Sequence, residues 1–261
     1  VTDMKVKDII KAIEEFAPLS IQEKWDNSGL CIVSASDEVS SVLIGLDCTP
    51  ELVDEAVACG ADMIVTHHPL IFSGIKSISA DNRTGEAVIK AVRAGIAVYS
   101  AHTSADKVIA GVSGAMAARL GLRNVEILDP DGDGTGLGVV GELPVPMPAE
   151  DIAALVKDRF SLKVLKSSRP VSGEVKRVAM CGGSGSSLIG KAMESGAQLY
   201  ISGDISYHHF FTEEGFMIMD IGHYESEIDI VEILFSILRK NFPTFAVRIT
   251  ENIYSNPIFY F

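Results

Sequence analysis

The sequence predicts an α/β protein of two related lobes, and three observations carry that expectation. Short apolar runs of strand length alternate with segments of helical length, the pattern of βαβ units around parallel sheets. One such unit recurs without a gap: Val42-Leu43-Ile44-Gly45, a helix and Gly60-Ala61-Asp62 are matched at an offset of 136 by Val178-Ala179-Met180-Cys181, a helix and Gly196-Ala197-Gln198. Self-similarity of this length reads as an internal duplication. Finally, histidines and carboxylates cluster just past the ends of apolar runs, where open α/β sheets bind ligands. The lobes are expected at residues 1–126 and 127–261, with their strand ends converging on a common cleft.

The elements follow in order. Val1-Thr2-Asp3-Met4-Lys5 opens an amphipathic helix, and Trp25 and Asp26 brace the loop before Cys31. A strand begins at Val42, a helix runs from about Glu51 to Cys59, and Met63-Ile64-Val65 forms a buried strand that ends in Thr66-His67-His68. A further helix leads to the glycine-led strand Gly95-Ile96-Ala97-Val98-Tyr99. Leu128 to Gly136 is rich in Asp and Gly, has no apolar period and reads as a surface turn. It starts like a calcium loop, but the twelfth place is Val140 and not the required Glu. Leu137 to Leu143 is strand-like, and a helix from about Ala149 to Phe160 follows Pro148. In the second half, Gly182-Gly183-Ser184-Gly185 reads as a tight turn between the strand at Val178 and a helix over Ser187–Glu194. The strand Leu199–Asp204, a further helix and the strand Phe216–Met219 complete the pattern.

His67 and His68 are the most informative residues. Packing does not favour two adjacent imidazoles at the end of a buried strand, whereas a metal does, because neutral imidazole is a common transition-metal ligand. Pro69 keeps His68 extended. Two further places supply partners: His102 and Asp106 follow the run Ile96–Tyr99, and His223 and Glu227 follow Phe216–Met219. His223 and Glu227 are four apart at a helix start and so share a face. The expectation is a metal site.

Composition removes several function classes. The 261 residues carry a formal net charge of -13 and contain no block of Lys and Arg, so no polymeric nucleic acid is expected as a partner. No run reaches membrane-spanning length, which predicts no membrane association. Cys31, Cys48, Cys59 and Cys181 form no C-x-x-C pair and read as thiols in a reducing compartment, which places the protein in the cytoplasm.

Lys24-Trp25-Asp26-Asn27-Ser28-Gly29-Leu30, Thr66-His67-His68-Pro69-Leu70, His102-Thr103-Ser104-Ala105-Asp106, Gly203-Asp204 with Tyr207-His208, and Gly222-His223-Tyr224-Glu225-Ser226-Glu227 together resemble the Nif-three-like dinuclear-metal proteins. These are also known as GTP cyclohydrolase I type 2 homologues. The resemblance spans the whole chain. It implies that His67, His68, Asp106, His223 and Glu227 bind two divalent ions in the cleft between the lobes, with Glu227 bridging. It also implies ring-shaped homohexamers. Mixed imidazole and carboxylate ligands suit Zn, Fe or Mn. His102, Asp204, Tyr207 and His208 are the candidates for acid–base work, with His102 beside the ligands rather than among them. The implied activity is hydrolysis of a small-molecule substrate, a nucleotide or related heterocycle, with GTP and formate release as the specific form. The alternative is a non-catalytic, metal-loaded ring that binds partners. Two positions depart from the family pattern: Ser104-Ala105 replace Asn-Leu, and Val139 replaces an Arg. Larger members carry an inserted mid-chain domain for which this length leaves no room.

Overall fold

The computed structural model describes residues 4–34, 36–251 and 256–260. In chain order the elements are α1 (Val6–Glu14), β1 (Gly29–Ile32), β2 (Ser41–Gly45), α2 (Pro50–Cys59), β3 (Met63–Thr66), α3 (Arg83–Ala94), β4 (Ala97–Ser100), α4 (Thr103–Asp106), α5 (Val112–Leu120), β5 (Arg123–Pro130) and β6 (Gly136–Pro148). They continue with α6 (Ala149–Arg159), β7 (Lys166–Ser167), β8 (Glu174–Ser184), α7 (Ile189–Glu194), β9 (Leu199–Gly203), β10 (Met217–Asp220), α8 (His223–Glu227), α9 (Asp229–Asn241) and β11 (Ala246–Ile249). The mixed α/β class expected from the sequence is the one observed. Residues 1–3, where the first helix was expected to open, lie outside the described residues.

Local signals explain the helices. In α1, Val6, Ile9 and Ile13 are buried at helical spacing, giving one apolar face. Thr49 caps α2 by accepting from the Leu52 amide, with Pro50 in the first turn. Gly60 ends α2 with φ of 70°, a conformation that costs other residues energy. Asn82 caps α3 in the same way.

The chain divides into two units, one of Val1–Ala105 with Ile230–Phe259 and one of Asp106–Asp229 with Tyr260–Phe261. The first contains a five-stranded sheet in the order β1-β4-β3-β2-β11, the second a six-stranded sheet in the order β5-β6-β8-β9-β10-β7. In each sheet three consecutive strands run parallel, β2-β3-β4 and β8-β9-β10, with an antiparallel strand beyond the third. The repeat extends to register: Val42 lies opposite Met63 as Val178 lies opposite Leu199, and Ile44 opposite Val65 as Met180 opposite Ile201. β2, β3, β4, β9 and β10 are buried along their whole length, as parallel strands covered on both faces should be.

Several details differ from the sequence expectation. The division falls at 105/106 instead of 126/127, and residues 230–259 return to the first unit. Pairing explains this: β11 lies parallel to β2, with Val247 opposite Val42, while Met116, Ala117 and Leu120 of α5 join the core of Val139, Val178 and Met180. The helix–strand segment that ends each repeat is thus built into the unit of the other repeat. The further helix expected between β9 and β10 is only a 3₁₀ turn, Tyr207–Phe210. Leu128 to Pro130 belongs to β5, and the surface turn proper is the hairpin link in which the Thr135 amide and hydroxyl bond Asp133. β6 runs on through Pro144 and Pro146 to Pro148. Prolines are tolerated there because β5 pairs no further than Glu142, which leaves an edge.

Candidate metal centre

In the first unit, His67, His68 and His102 follow the carboxyl ends of β3 and β4. Their ring centroids are 5.0 to 5.6 Å apart, and one ring nitrogen of each lies within 4.8 Å of the others. A shared hydrogen-bonding rule orients them. His67 Nδ1 is 2.9 Å from the Ala101 carbonyl, His68 Nδ1 2.8 Å from Asp47 Oδ1, and His102 Nδ1 2.8 Å from Asp26 Oδ1. Carbonyl and carboxylate oxygens only accept, so each Nδ1 must donate. The neutral ring then carries its lone pair on Nε2. This is the tautomer a metal takes, with the oxygen partner fixing the ring. The donor set therefore fits a divalent transition metal.

Asp26 is the most heavily bonded of these partners. Its carboxylate has no exposed surface and accepts from His102 Nδ1, the Ser28 hydroxyl at 2.6 Å, and the Thr103 amide and hydroxyl at 3.0 and 2.5 Å. Burial alone would raise its pKa. The hydrogen bonds from His102, Ser28 and Thr103 outweigh that and hold the carboxyl well below the usual carboxylate range. Asp26 thus braces the loop before β1 through Ser28, ties it to the start of α4 through Thr103, and fixes the His102 ring.

The second unit repeats the device. His223 Nδ1 is 2.7 Å from Asp204 Oδ2, and its Nε2 is 3.0 Å from Glu227 Oε2, one helical turn along α8. Asp204 sits just past β9 with φ of 52°, a left-handed conformation uncommon for any residue but Gly. Glu227 is buried, with its carboxylate against Gly183 and its Cγ in contact range of Gly182 at the end of β8. A Cβ on Gly183, whose φ is 61°, would collide with Glu227 Oε1. The Ser226 hydroxyl accepts from the Gly183 amide at 2.9 Å and donates to the His223 carbonyl at 2.7 Å, which fixes α8 on this strand end. Cys181 lies beneath: burial, with the Asp106 and Glu227 carboxylates, pushes its thiol up to about 12.

Of the residues singled out in the sequence, the first unit brings together His67, His68 and His102, and the second places Asp204, His223 and Glu227 in one bonded chain. His102, expected beside the ligands, offers a ring nitrogen in the same cluster as His67 and His68. Tyr207 and His208 lie on the exposed 3₁₀ turn, where the Tyr207 ring packs on His208 and Phe211 at 5.4 Å each. Sequence reasoning missed Asp47 and the cradling role of Gly182-Gly183. Asp47 could have been found, since it stands two residues past β2 as His68 stands two past β3.

Imidazoles held by oxygen partners past the carboxyl ends of parallel strands, in two repeated units, mark an α/β protein whose histidines and carboxylates could hold a metal ion. The chain belongs to the Duf34/NIF3 (NGG1p interacting factor 3) family, whose model matches residues 4–257. It is 37% identical over 228 residues to a GTP cyclohydrolase 1 type 2 homolog of Clostridium perfringens, covering 86% of this chain and 87% of that one. Among solved structures, a hypothetical protein of Staphylococcus aureus superposes with a TM-score of 0.89 at 28% identity over 99% of both chains. A Bacillus cereus protein related to NIF3 shares the fold, with a TM-score of 0.91 at 24% identity over 100% of each chain.

Proposed function

We propose that this chain is a metal-dependent hydrolase in which His67, His68, Asp106, His223 and Glu227 hold two divalent ions, Zn, Fe or Mn. The observation that carries the reading is the common orientation of His67, His68 and His223, each with Nδ1 committed to an oxygen acceptor. In His223 the opposite nitrogen, Nε2, faces Glu227 Oε2 at 3.0 Å, the carboxylate with which it would share an ion. Ions bound there would supply Lewis-acid activation of water, lowering its pKa from about 15.7 towards about 7.

The remaining roles belong to the chain's own groups. Asp47 and Asp204 orient His68 and His223, and Gly182 and Gly183 admit the Glu227 carboxylate to the strand end. Asp26 holds the His102 ring, which serves the site as a further ligand or as an acid–base group. Asp204, Tyr207 and His208 are the other acid–base candidates. The substrate is a nucleotide or a related heterocycle. GTP as its specific form is in line with the name of the Clostridium relative, and hydrolytic ring opening with release of formate is what the family resemblance implies. Homohexameric assembly is part of the same proposal. Elemental analysis and a turnover panel of nucleotides and phosphoesters, run on one metal-loaded sample, test it. Metal with turnover supports the hydrolase, and full loading without turnover on any member of the panel replaces it with a metal-loaded scaffold.

A further inference from the structure

In the second unit, the Asp-rich link between β5 and β6 makes a contact that a plain surface turn does not need. β5 ends at Pro130 and β6 begins at Gly136, and the Asp131 amide closes the link on the Thr135 carbonyl at 2.8 Å. Each aspartate that imitates a calcium loop has a partner from the protein itself. Asp129 faces the Lys191 amine at 3.4 Å, Asp131 faces the Lys107 amine at 2.7 Å, and Asp133 accepts from Thr135. The two lysines differ in setting: the Lys191 side chain is 49% exposed and that of Lys107 only 9%. Lysine is almost never enclosed unless its charge is met. The link also holds the main chain of Lys107, whose carbonyl accepts from the Gly136 amide at 2.9 Å. Immediately before Lys107 stands Asp106, whose carboxylate is close enough to Cys181 to help raise that thiol.

We propose that Lys107 is a positioning residue for the metal centre: the β5–β6 link grips it by both amine and carbonyl and so sets where the Asp106 carboxylate stands. This role rests on the reading that Asp106 holds an ion. Two attachments on one residue fix its Cα, and the Cα of Asp106 lies only about 3.8 Å away across a planar peptide. Groups that bind a metal must be held to within roughly 0.5 Å of their working geometry, so slack at Lys107 is felt at the ion. With its amine committed to Asp131, Lys107 acts through Asp106 and does not itself touch the ion.

The test compares the full-length parent with Lys107→Met, Lys107→Arg, Asp131→Asn and Lys191→Met. Zn(II) affinity is read by competition with a chromophoric chelator, and the ligand geometry by the visible absorption of bound Co(II). Lys107→Met keeps the enclosed stem and removes the charge, so it is expected to weaken one ion about 10- to 100-fold, as loss of a ligand-orienting group does, and to shift the Co(II) bands. Asp131→Asn, at a side chain 45% exposed, should act in the same direction, and it carries the test if Lys107→Met does not fold. Lys107→Arg restores the cation, and its affinity should lie nearer the parent's than that of Lys107→Met. Lys191→Met breaks the other ion pair of the same hairpin, an exposed one, and should leave affinity and bands unchanged. Parental affinity and bands in both Lys107→Met and Asp131→Asn overturn the positioning role, as does an equal loss in Lys191→Met. In a parent that binds metal, either result leaves the metal reading intact. A folded parent that takes up neither Zn(II) nor Co(II) removes that reading and the role of Lys107 with it.

Discussion

Asp26 illustrates how much of the site depends on single buried acceptors. It accepts from His102, Ser28 and Thr103 while fully enclosed, and hydrogen bonds to a charged group contribute about 1.5–3 kcal/mol each. Asp26→Asn should lower the unfolding free energy at pH 7 by ~2 kcal/mol. The sign of the pH effect follows from the lowered pKa of this carboxyl. Its contribution is fully present above the unfolded value of about 3.9 and is lost as pH falls below that towards the folded value. Denaturant titrations from pH 7 to pH 2 should therefore show a shallower acid limb in the variant, and parallel curves would refute the assignment. Thiol chemistry gives a second check at this scale. Burial pushes Cys48 and Cys181 up to about 12, so both should resist a disulfide reagent at pH 8 until denaturant is added. Modification of all four cysteines in the folded protein would contradict the packing. The histidines and carboxylates proposed for the centre could be singled out in the sequence because they stand just past strand ends. Asp47 and Ala101 could not be assigned to particular rings, because those partnerships depend on which strands lie side by side.

Among the elements, the turn after β8 has a role that its glycines conceal. The sequence reads Gly182-Gly183 as a tight turn, and the structure adds a steric reason: the Glu227 carboxylate occupies the space a side chain on Gly183 would take. Gly183→Ala should displace Glu227 and sharply reduce metal content. Gly190→Ala in α7, where an added Cβ meets nothing within 4 Å, should leave metal content unchanged and stabilise the helix by roughly 0.5–1 kcal/mol. Equal metal content in the two variants would exclude the cradle. The same scale shows where periodicity fails. The link from β9 to β10 matched the first repeat in its glycine-led strand, yet it is too short for a counterpart of the 12-residue α3 and its turns. β11 was missed because its apolar residues alternate with exposed ones at a sheet edge. Its place beside β2 is a long-range pairing that no local pattern encodes.

For the whole molecule, the duplicated architecture was legible because the repeat preserves both sequence offset and strand register. The exchange of the terminal helix–strand segments was not, because it changes which repeat a segment packs with and leaves its composition unaltered. If metal binds the folded chain alone, ions at 100 times Kd should stabilise it by about 2.7 kcal/mol, and chelation should lower Tm accordingly. Light scattering should give the mass of six chains of 27.9 kDa, and a monomer would reject the proposed assembly. The central claim is the two-ion centre, and its most direct test is the metal-to-protein ratio after anaerobic loading with Mn, Fe or Zn and removal of excess ion. The parent should hold close to two ions per chain. Glu227→Gln, isosteric but without the charge that offsets two dications, should hold close to one. A folded parent that retains no metal, or a Glu227→Gln variant that retains both ions at undiminished affinity, would contradict the account.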